Sequence, residues 1–543
     1  MEYKRLKLPL GIQTFEKLRK DGNVYVDKTQ YLVKMIDNGS IYFLARPRRF
    51  GKSLAVTTFD SLFSGDKELF KGLYAEEFLN RPDFEPSPVI RLDMSKITTQ
   101  QGIEVIEAEL KYITIDLANR MGIEVPKKLS SGAVFRSLIT HTALKENKKV
   151  VILIDEYDKP YTDFVNDPVM ANKVRNLLRD YYVQIKANDE YIRFVFITGI
   201  SKFAKFGVFS TLNTLTDISM MPEYAGICGY SEEEIIRCFP DYLDETAQSM
   251  NISTQELIDR MRHYYNGFSF DWNVETRLYN PHSTLSFFRK KMFFNFWINT
   301  GKSKMIAEYM IDRNLTVEEF RNFPVSFDFV DNPDDMDVSP PQGFLYQSGY
   351  LTLRPGINDD LSLDYPNTET LNAMSELITQ NLLRNRDENY NLCRADLLKG
   401  LQTKDRNLVI GVFNRLLASI PYDDFISAAK QSISGLDYDM KPQEWLYRAS
   451  ILSFLRGCGV VVDAEIHTNK GRADLVVARR GVLWVIEIKV AYAGQSPEAK
   501  AEEAYRQIID NNYASPYQDA VCLGLGIDDA ERQITASRYE IQI

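Results

Sequence analysis

A chain of 543 residues exceeds one hydrophobic core, so about two to four domains are expected. With 44% apolar and 26% charged residues it does not read as disordered, and a formal charge of −10 argues against coating nucleic acid through bulk positive potential, although a local basic groove stays open. Five scattered cysteines without a C-x-x-C pair and four histidines argue against a disulfide framework or a zinc site. No window approaches about 18 uninterrupted apolar residues and no signal-type core follows MEYKRLK, so a cytoplasmic protein with no membrane partner is expected.

Residues 1 to about 40 read as a lead-in, with a turn at Asp21-Gly22-Asn23 and a short strand from Val24 to Val26. Gln13 and Tyr25 are candidates for an adenine pocket, or else the segment packs as an arm. Ile41 to Leu54, IYFLARPRRFGKSL, then reads as a buried strand, a tight loop and a helix opened by Gly51, Lys52, Ser53 and Leu54. Such a loop turns backbone N–H groups inward at a positive helix end and cradles a polyphosphate. Lys52 would reach the terminal phosphates and Ser53 would hold Mg2+. The general pattern asks for glycine where Arg46 stands. Arg46, Arg48 and Arg49 lie close enough in sequence to contact phosphate, or else they buttress the loop.

From about 41 to 225, apolar runs alternate with helical stretches, which predicts a parallel sheet with helices on both faces. Pro88 to Met94 is a further strand, and Ile103–Met121 and Ala133–Leu144 have helical spacing. Lys149 to Asp158, KVVILIDEYD, runs five apolar residues into an acidic pair, with Asp155 assigned to the metal and Glu156 to the attacking water. Tyr191 to Thr198 ends in Thr198, placed to sense the terminal phosphate. Asn213, in the polar stretch that follows, reads as loop-stabilising ahead of nucleotide-binding. Residues 226–355 predict a helical lid, with a capping box at Ser231-Glu232-Glu233-Glu234. The aromatic stretches Tyr264–Phe270 and Phe293–Trp297 read as core ahead of base stacking. Thr300 to Ser303, TGKS, is a decoy phosphate loop. The turn-rich Pro355–Thr368 marks a boundary, and a helical connector follows.

A second constellation lies at the C-terminal end. Gln443–Leu455 is a helix with Glu444 near its start, and Arg472 to Val490 reads as a hairpin about Arg479-Arg480-Gly481. Folding it there brings Asp474 opposite the Ile486-Glu487 region, while Glu487 and Lys489 share a face. Two carboxylates and a lysine so placed suit metal-dependent phosphodiester cleavage, with Asp474 and Glu487 on Mg2+ and Lys489 at the phosphate or the water.

RPRRFGKSL, YVDKT (Tyr25 to Thr29), LIDEYDKP (Leu153 to Pro160) and TGISKF (Thr198 to Phe203) resemble the AAA-ATPase-like family, often fused to a PD-(D/E)XK nuclease-like domain. In that family the arginine-rich loop is the usual variant, which accounts for Arg46. The D-x(12)-E-x-K spacing of Asp474, Glu487 and Lys489 matches the nuclease signature. The resemblance further implies roles for Glu444, as the acidic residue of the first helix, and for Gln507, on the helix after the hairpin. GRAD (Gly471 to Asp474) lacks the motif's proline.

The fold expected is α/β, a P-loop NTPase parallel sheet with a helical lid, then a helical connector and a small α/β PD-(D/E)XK-type domain, with boundaries 1–225, 226–355, 356–437 and 438–543. The leading function is an ATP-binding and hydrolysing protein coupled to a Mg2+-dependent nuclease, with nucleic acid as partner, DNA ahead of RNA, and a homo-oligomer open. The alternatives are a non-cutting switch that binds DNA or protein, and a small-molecule phosphotransferase.

Overall fold

The computed structural model describes residues 5–99, 102–164, 167–200, 202, 215–297, 317, 320–326, 341–356, 360–384, 389–420, 442–468, 471–514 and 519–541. Asn213 and the decoy loop at 300–303 lie outside them. The chain divides into two compact units, Met1–Phe296 with Asn322–Asn367, and Trp297–Arg321 with Thr368–Ile543. Among the described residues, no helix is long and apolar enough to cross a membrane.

The first unit is built on a sheet of β1 (Ile41–Ala45), β2 (Val89–Asp93), β3 (Val150–Asp155), β4 (Ile192–Gly199) and β5 (Thr216–Asp217). Its order is β2-β3-β4-β1-β5 and its pairings are parallel. The apolar runs divide by period two between two cores. Phe43, Ile152, Ile154, Val195 and Ile197 join the helices Ile103–Arg120, Ser131–Glu146 and Pro168–Ala187, whereas Tyr42, Leu44, Val151, Leu153, Phe194 and Phe196 join the helix Lys52–Ser64. A strand covered on both faces has no polar side to alternate with, hence the continuous apolar sequence. The register pairs Ala45 with Gly199 and Asp93 with Asp155, so the carboxyl ends of these strands line up at one edge.

Val24–Val26 does not form a strand. Asn23 makes a lone bridge to Lys7, and Val24 and Val26 are buried beside Ile235, Phe239 and Leu243 of the helices Glu232–Cys238 and Pro240–Met250. The segment finds a helical wall, and no neighbouring strand extends its ladder. The helix at Glu232 starts with both bonds of the capping box between Ser231 and Glu234. Phe268 and Phe270 are core residues, as are Phe296 and Trp297, while Phe294 is exposed. The turn-rich stretch after Pro355 holds a strand, because β7 (Thr352–Pro355) and β8 (Leu361–Asp364) pair antiparallel and β6 (Phe323–Val325) adds to β8.

The second unit holds β9 (Val461–Thr468), β10 (Gly471–Arg479), β11 (Val482–Ala491), β12 (Val521–Asp528) and β13 (Gln533–Ile541), in the order β13-β12-β11-β10-β9. The β11–β12 pair is parallel and the other pairings are antiparallel. Arg480 (φ 44°) and Gly481 (φ 82°) form the two-residue β10–β11 turn, the left-handed pair that matches strand twist. On one face, Leu475, Trp484, Ile486, Leu523 and Leu525 share a core with the helices Tyr390–Thr403, Arg406–Ala418 and Pro442–Gly457. The helix Pro497–Asp510 lies against β12 so closely that a Cβ on Gly526 would stand 2.1 Å from the Pro497 carbonyl oxygen, and one on Gly524 2.5 Å from the Ala501 carbonyl oxygen.

Candidate functional site

β1 delivers the chain into the loop from Arg46 to Gly51. Left-handed backbone at Arg49 (φ 68°) and Gly51 (φ 104°) turns the loop back into the helix Lys52–Ser64. Among the described residues, the N–H groups of Gly51, Lys52, Ser53 and Leu54 donate to nothing, and no side chain caps this helix. Those are the donors a helix start leaves for an anion. A Cβ on Gly51 would meet no atom within 4 Å, so the space beside it is open. Lys52 is buried, with Nζ donating to the carbonyls of Arg46 at 2.8 Å and Pro47 at 3.0 Å. Burial pushes its ammonium pKa down, against the pull of Asp155, Glu156 and Asp158. Orphan donors, an open front and a cation held on neutral carbonyls fit a nucleotide's polyphosphate.

The arginines of the loop divide. Arg46, 1% exposed, donates to the carbonyls of Ala45 (2.9 Å), Ser219 (2.6 Å) and Tyr224 (3.3 Å), and its guanidinium lies 4.4 Å from the Phe270 ring centre. It is thus turned into the protein, tying the loop to the segment after β5. Phe50 fixes the other end of the loop, edge-on to Phe268 at 4.9 Å and Phe270 at 5.1 Å. Arg48 is half-buried within electrostatic reach of Glu156, and Arg49 is exposed.

Asp155 ends β3 and accepts a hydrogen bond from Thr198 Oγ1 at 2.6 Å, which joins two of the expected residues at the strand ends. Glu156 follows in left-handed backbone at φ 52°. Burial raises its carboxyl pKa, with Lys52 opposing and Asp155 and Asp158 reinforcing. Two further residues of the quoted motifs are built in here. Asp158, 1% exposed, accepts the Ile200 N–H at 3.1 Å, and buried Lys202 pairs with Asp217 at 3.1 Å. Gly199 is required between them, since a Cβ there would lie 2.4 Å from the Tyr157 ring. The YVDKT motif also turns out to be constructional. Asp27 accepts from Thr29 and from the Tyr74 N–H, and Lys28 Nζ binds both Glu234 oxygens at 2.6 Å. Tyr25 is half-buried and edge-on to Phe15, whereas Gln13 is exposed.

In the second unit the hairpin register pairs Leu475 with Ile486, which sets Asp474 beside Glu487. The Asp474 N–H donates to Glu487 Oε2 at 3.1 Å, and the Ile488 N–H donates to Asp474 Oδ2 at 2.9 Å. Lys489 Nζ lies 3.8 Å from Glu487 Oε1 and 3.6 Å from Glu444 Oε1. Glu487 is 1% exposed, and burial with Asp474 beside it pushes its carboxyl up to about 8. Glu444 is raised mainly by burial. For Lys489 burial pulls down, but Glu444, Glu487 and Asp474 outweigh it and leave it raised. Gln507 is half-buried on the helix Pro497–Asp510, one turn beyond Glu503, whose charge reaches Lys489. Among the described residues its side chain has no hydrogen-bond partner.

Arg448 was not among the sequence candidates. Its Nη1 lies 3.0 Å from Asp474 Oδ1, and the available signal was its place one helical turn after Glu444. Two carboxylates buried side by side on adjoining strands, short of positive charge at Glu487, supply the hard oxygen donors Mg2+ takes. Among the described residues no three acidic, histidine or cysteine side chains form a ready metal cage. The Asp474–Glu487 pair matches an ion that takes one or two carboxylates and fills its remaining positions with water and substrate phosphate.

The profile described as "Predicted AAA-ATPase" matches residues 9–209, and that of the "PD-(D/E)XK nuclease superfamily" matches residues 442–536. Domains of these two kinds generally use nucleotide and Mg2+. A protein of Azotobacter chroococcum mcd 1, described as an uncharacterized protein in the vnfD 5' region, is 32% identical over 530 residues, spanning 95% of this chain and 94% of that one. The chain belongs to the AAA-ATPase-like family with a C-terminal PD-(D/E)XK nuclease superfamily domain. Among solved structures, the Aeropyrum pernix ORC2 protein (ADPNP-ADP complexes) aligns over 70% of this chain and 97% of its own at 11% identity, with a TM-score of 0.27.

Proposed function

We propose that the protein binds and hydrolyses ATP and that its C-terminal domain cleaves nucleic acid, DNA ahead of RNA, in a Mg2+-dependent reaction coupled to the nucleotide state. In the first domain Lys52 leaves its two carbonyls for the terminal phosphates, while the N–H groups of Gly51 to Leu54 take the phosphate oxygens. Ser53 and Asp155 would hold Mg2+, Glu156 orients and deprotonates the water, and Thr198 holds Asp155 in place. In the second domain Asp474 and Glu487 would hold the metal, which supplies a more acidic water and neutralises developing charge. Lys489 keeps its ammonium at the phosphate, and Glu444 keeps Lys489 in position. The observation that carries the reading is the convergence of Glu444, Asp474, Glu487 and Lys489 from one helix and two strands.

The test is cleavage of linear and supercoiled DNA in Mg2+ or Mn2+, with and without ATP, beside Lys52→Ala and Asp474→Ala. Cutting that needs Asp474 and responds to ATP through Lys52 is expected. Cutting that ignores Lys52 would uncouple the two domains. One observation favours a second reading, a non-cutting platform switched by ATP: Arg448 gives Asp474 a cation without any metal. ATP hydrolysis with no cleavage of any DNA form would select it.

A further inference from the structure

Arg448 has no part in the reactions above, yet it holds one oxygen of a carboxylate assigned to the metal. Of the four oxygens on the two buried carboxylates, Asp474 Oδ2 and Glu487 Oε2 accept backbone N–H groups, of Ile488 at 2.9 Å and Asp474 at 3.1 Å. Those donors are fixed by the sheet. The other two oxygens face side chains, Asp474 Oδ1 with Arg448 Nη1 at 3.0 Å and Glu487 Oε1 with Lys489 Nζ at 3.8 Å. A divalent ion shared by Asp474 and Glu487 is best received at these two oxygens, because their partners are side chains, which can withdraw without breaking strand pairing. Lys489 has Glu444 to remain on, at 3.6 Å. Arg448 Nη1 stands at 3.0 Å from the Asp474 oxygen that the ion would take.

The charges agree. In their ionised forms Glu444, Asp474 and Glu487 face Arg448 and Lys489, and the charge of Glu503 also reaches Lys489, so the group is net negative. A divalent ion removes that negative excess, and a guanidinium displaced from Asp474 is then drawn to an anion. Its planar fork matches phosphate oxygens in pairs, which an ammonium cannot do. Arg448 is a long side chain on the helix Pro442–Gly457, so leaving Asp474 is a change of rotamer and not of backbone.

We propose that Arg448 is a displaceable cation of this site: it holds Asp474 Oδ1 until a divalent ion takes that oxygen, and then binds a backbone phosphate of the nucleic acid. The proposal rests on the nucleic-acid reading of the site, though not on cleavage. It makes metal and nucleic acid bind in order, the metal first.

The test uses the full chain as wild type, Arg448→Gln and Arg448→Lys. Mn2+ affinity is measured by titration calorimetry without nucleic acid, with Asp474→Ala marking the signal from this site, and thermal melting checks folding. Binding of a fluorescein-labelled duplex DNA is followed by anisotropy in Ca2+. Arg448→Gln is expected to bind Mn2+ about threefold tighter or more, having lost the competitor, and duplex DNA about tenfold more weakly, with Arg448→Lys between on both. Weaker Mn2+ binding with unchanged DNA affinity would make Arg448 a holder of Asp474 alone and overturn the proposal. Both shifts without cleavage by the wild type would sink the nuclease reading and leave this proposal standing. Cleavage with neither shift would do the reverse.

Discussion

The two sites handle charge in opposite ways. At the loop after β1, Lys52 and Arg46 rest on neutral oxygens, Lys52 on the carbonyls of Arg46 and Pro47, and Arg46 on those of Ala45, Ser219 and Tyr224. In the C-terminal domain each cation rests on a carboxylate, Arg448 on Asp474 and Lys489 on Glu444 and Glu487. A cation parked on carbonyls gives up little when an anion arrives, so the first site is prepared for a polyphosphate. A cation parked on a carboxylate must be exchanged, so the second site is prepared for another cation. On the function proposed above, one chain carries a receptor for negative charge and a receptor for positive charge.

The comparison breaks most sharply at Asp474. Asp474→Asn keeps the shape and removes the charge, and is expected to lower cleavage about a thousandfold or more, read as initial rates on supercoiled DNA. Retained cutting would remove the carboxylate from the chemistry and the contrast with it. Next comes the support under the second site. Gly526→Ala sets a Cβ 2.1 Å from the Pro497 carbonyl oxygen and forces the helix Pro497–Asp510 off β12 beside Lys489, its register partner. A loss of about 3 kcal/mol in urea unfolding of the C-terminal transition is expected. An unchanged midpoint would mean that the helix yields freely.

At the first site, Lys52→Ala is expected to weaken ATP binding about thirtyfold while leaving thermal stability within about 1 kcal/mol, because the cost of burying the ammonium offsets its two charge-assisted hydrogen bonds to carbonyls. A large stability loss instead would make Lys52 a structural residue and erase the distinction between the sites. The smallest effect concerns Cys522, buried on β12, whose thiol is pushed up to about 11, chiefly by burial and then by Glu540. A pKa raised in the folded state adds stability that is complete below about 9, the unfolded value, and is lost as pH rises through 11. Wild type should therefore lose stability more steeply than Cys522→Ala between pH 9 and 11 in urea titrations, and parallel curves would contradict it.

Much of this was legible in the chain itself. Each continuous apolar run ending in a polar residue became a parallel strand, and the Arg479-Arg480-Gly481 turn set Asp474 beside Glu487, because hairpin pairing is local and period two allows one partner face. Helix starts were equally readable at Ser231, where cap and partner lie three residues apart. The misreading at Val24–Val26 has a distinct cause: two valines in extended backbone look alike whether a strand or a helix covers them. Likewise the turns after Pro355 are as consistent with a linker as with the β7–β8 connection they accompany.

The inventory and the local geometry can be read along the chain: a glycine-lysine-serine helix start, an acidic strand end, and a D-x(12)-E-x-K hairpin. Tertiary structure alone decided who partners whom. Nothing local distinguishes Arg46, which turns inward to carbonyls more than 170 positions away, from Arg48 and Arg49 beside it. Nothing local tells that Arg448 will reach Asp474, 26 positions on, since a helix face shows its spacing but not what it packs against. Charge pairing over such distances is set by how the layers stack, and long-range stacking is what a sequence pattern of period two or 3.6 leaves open.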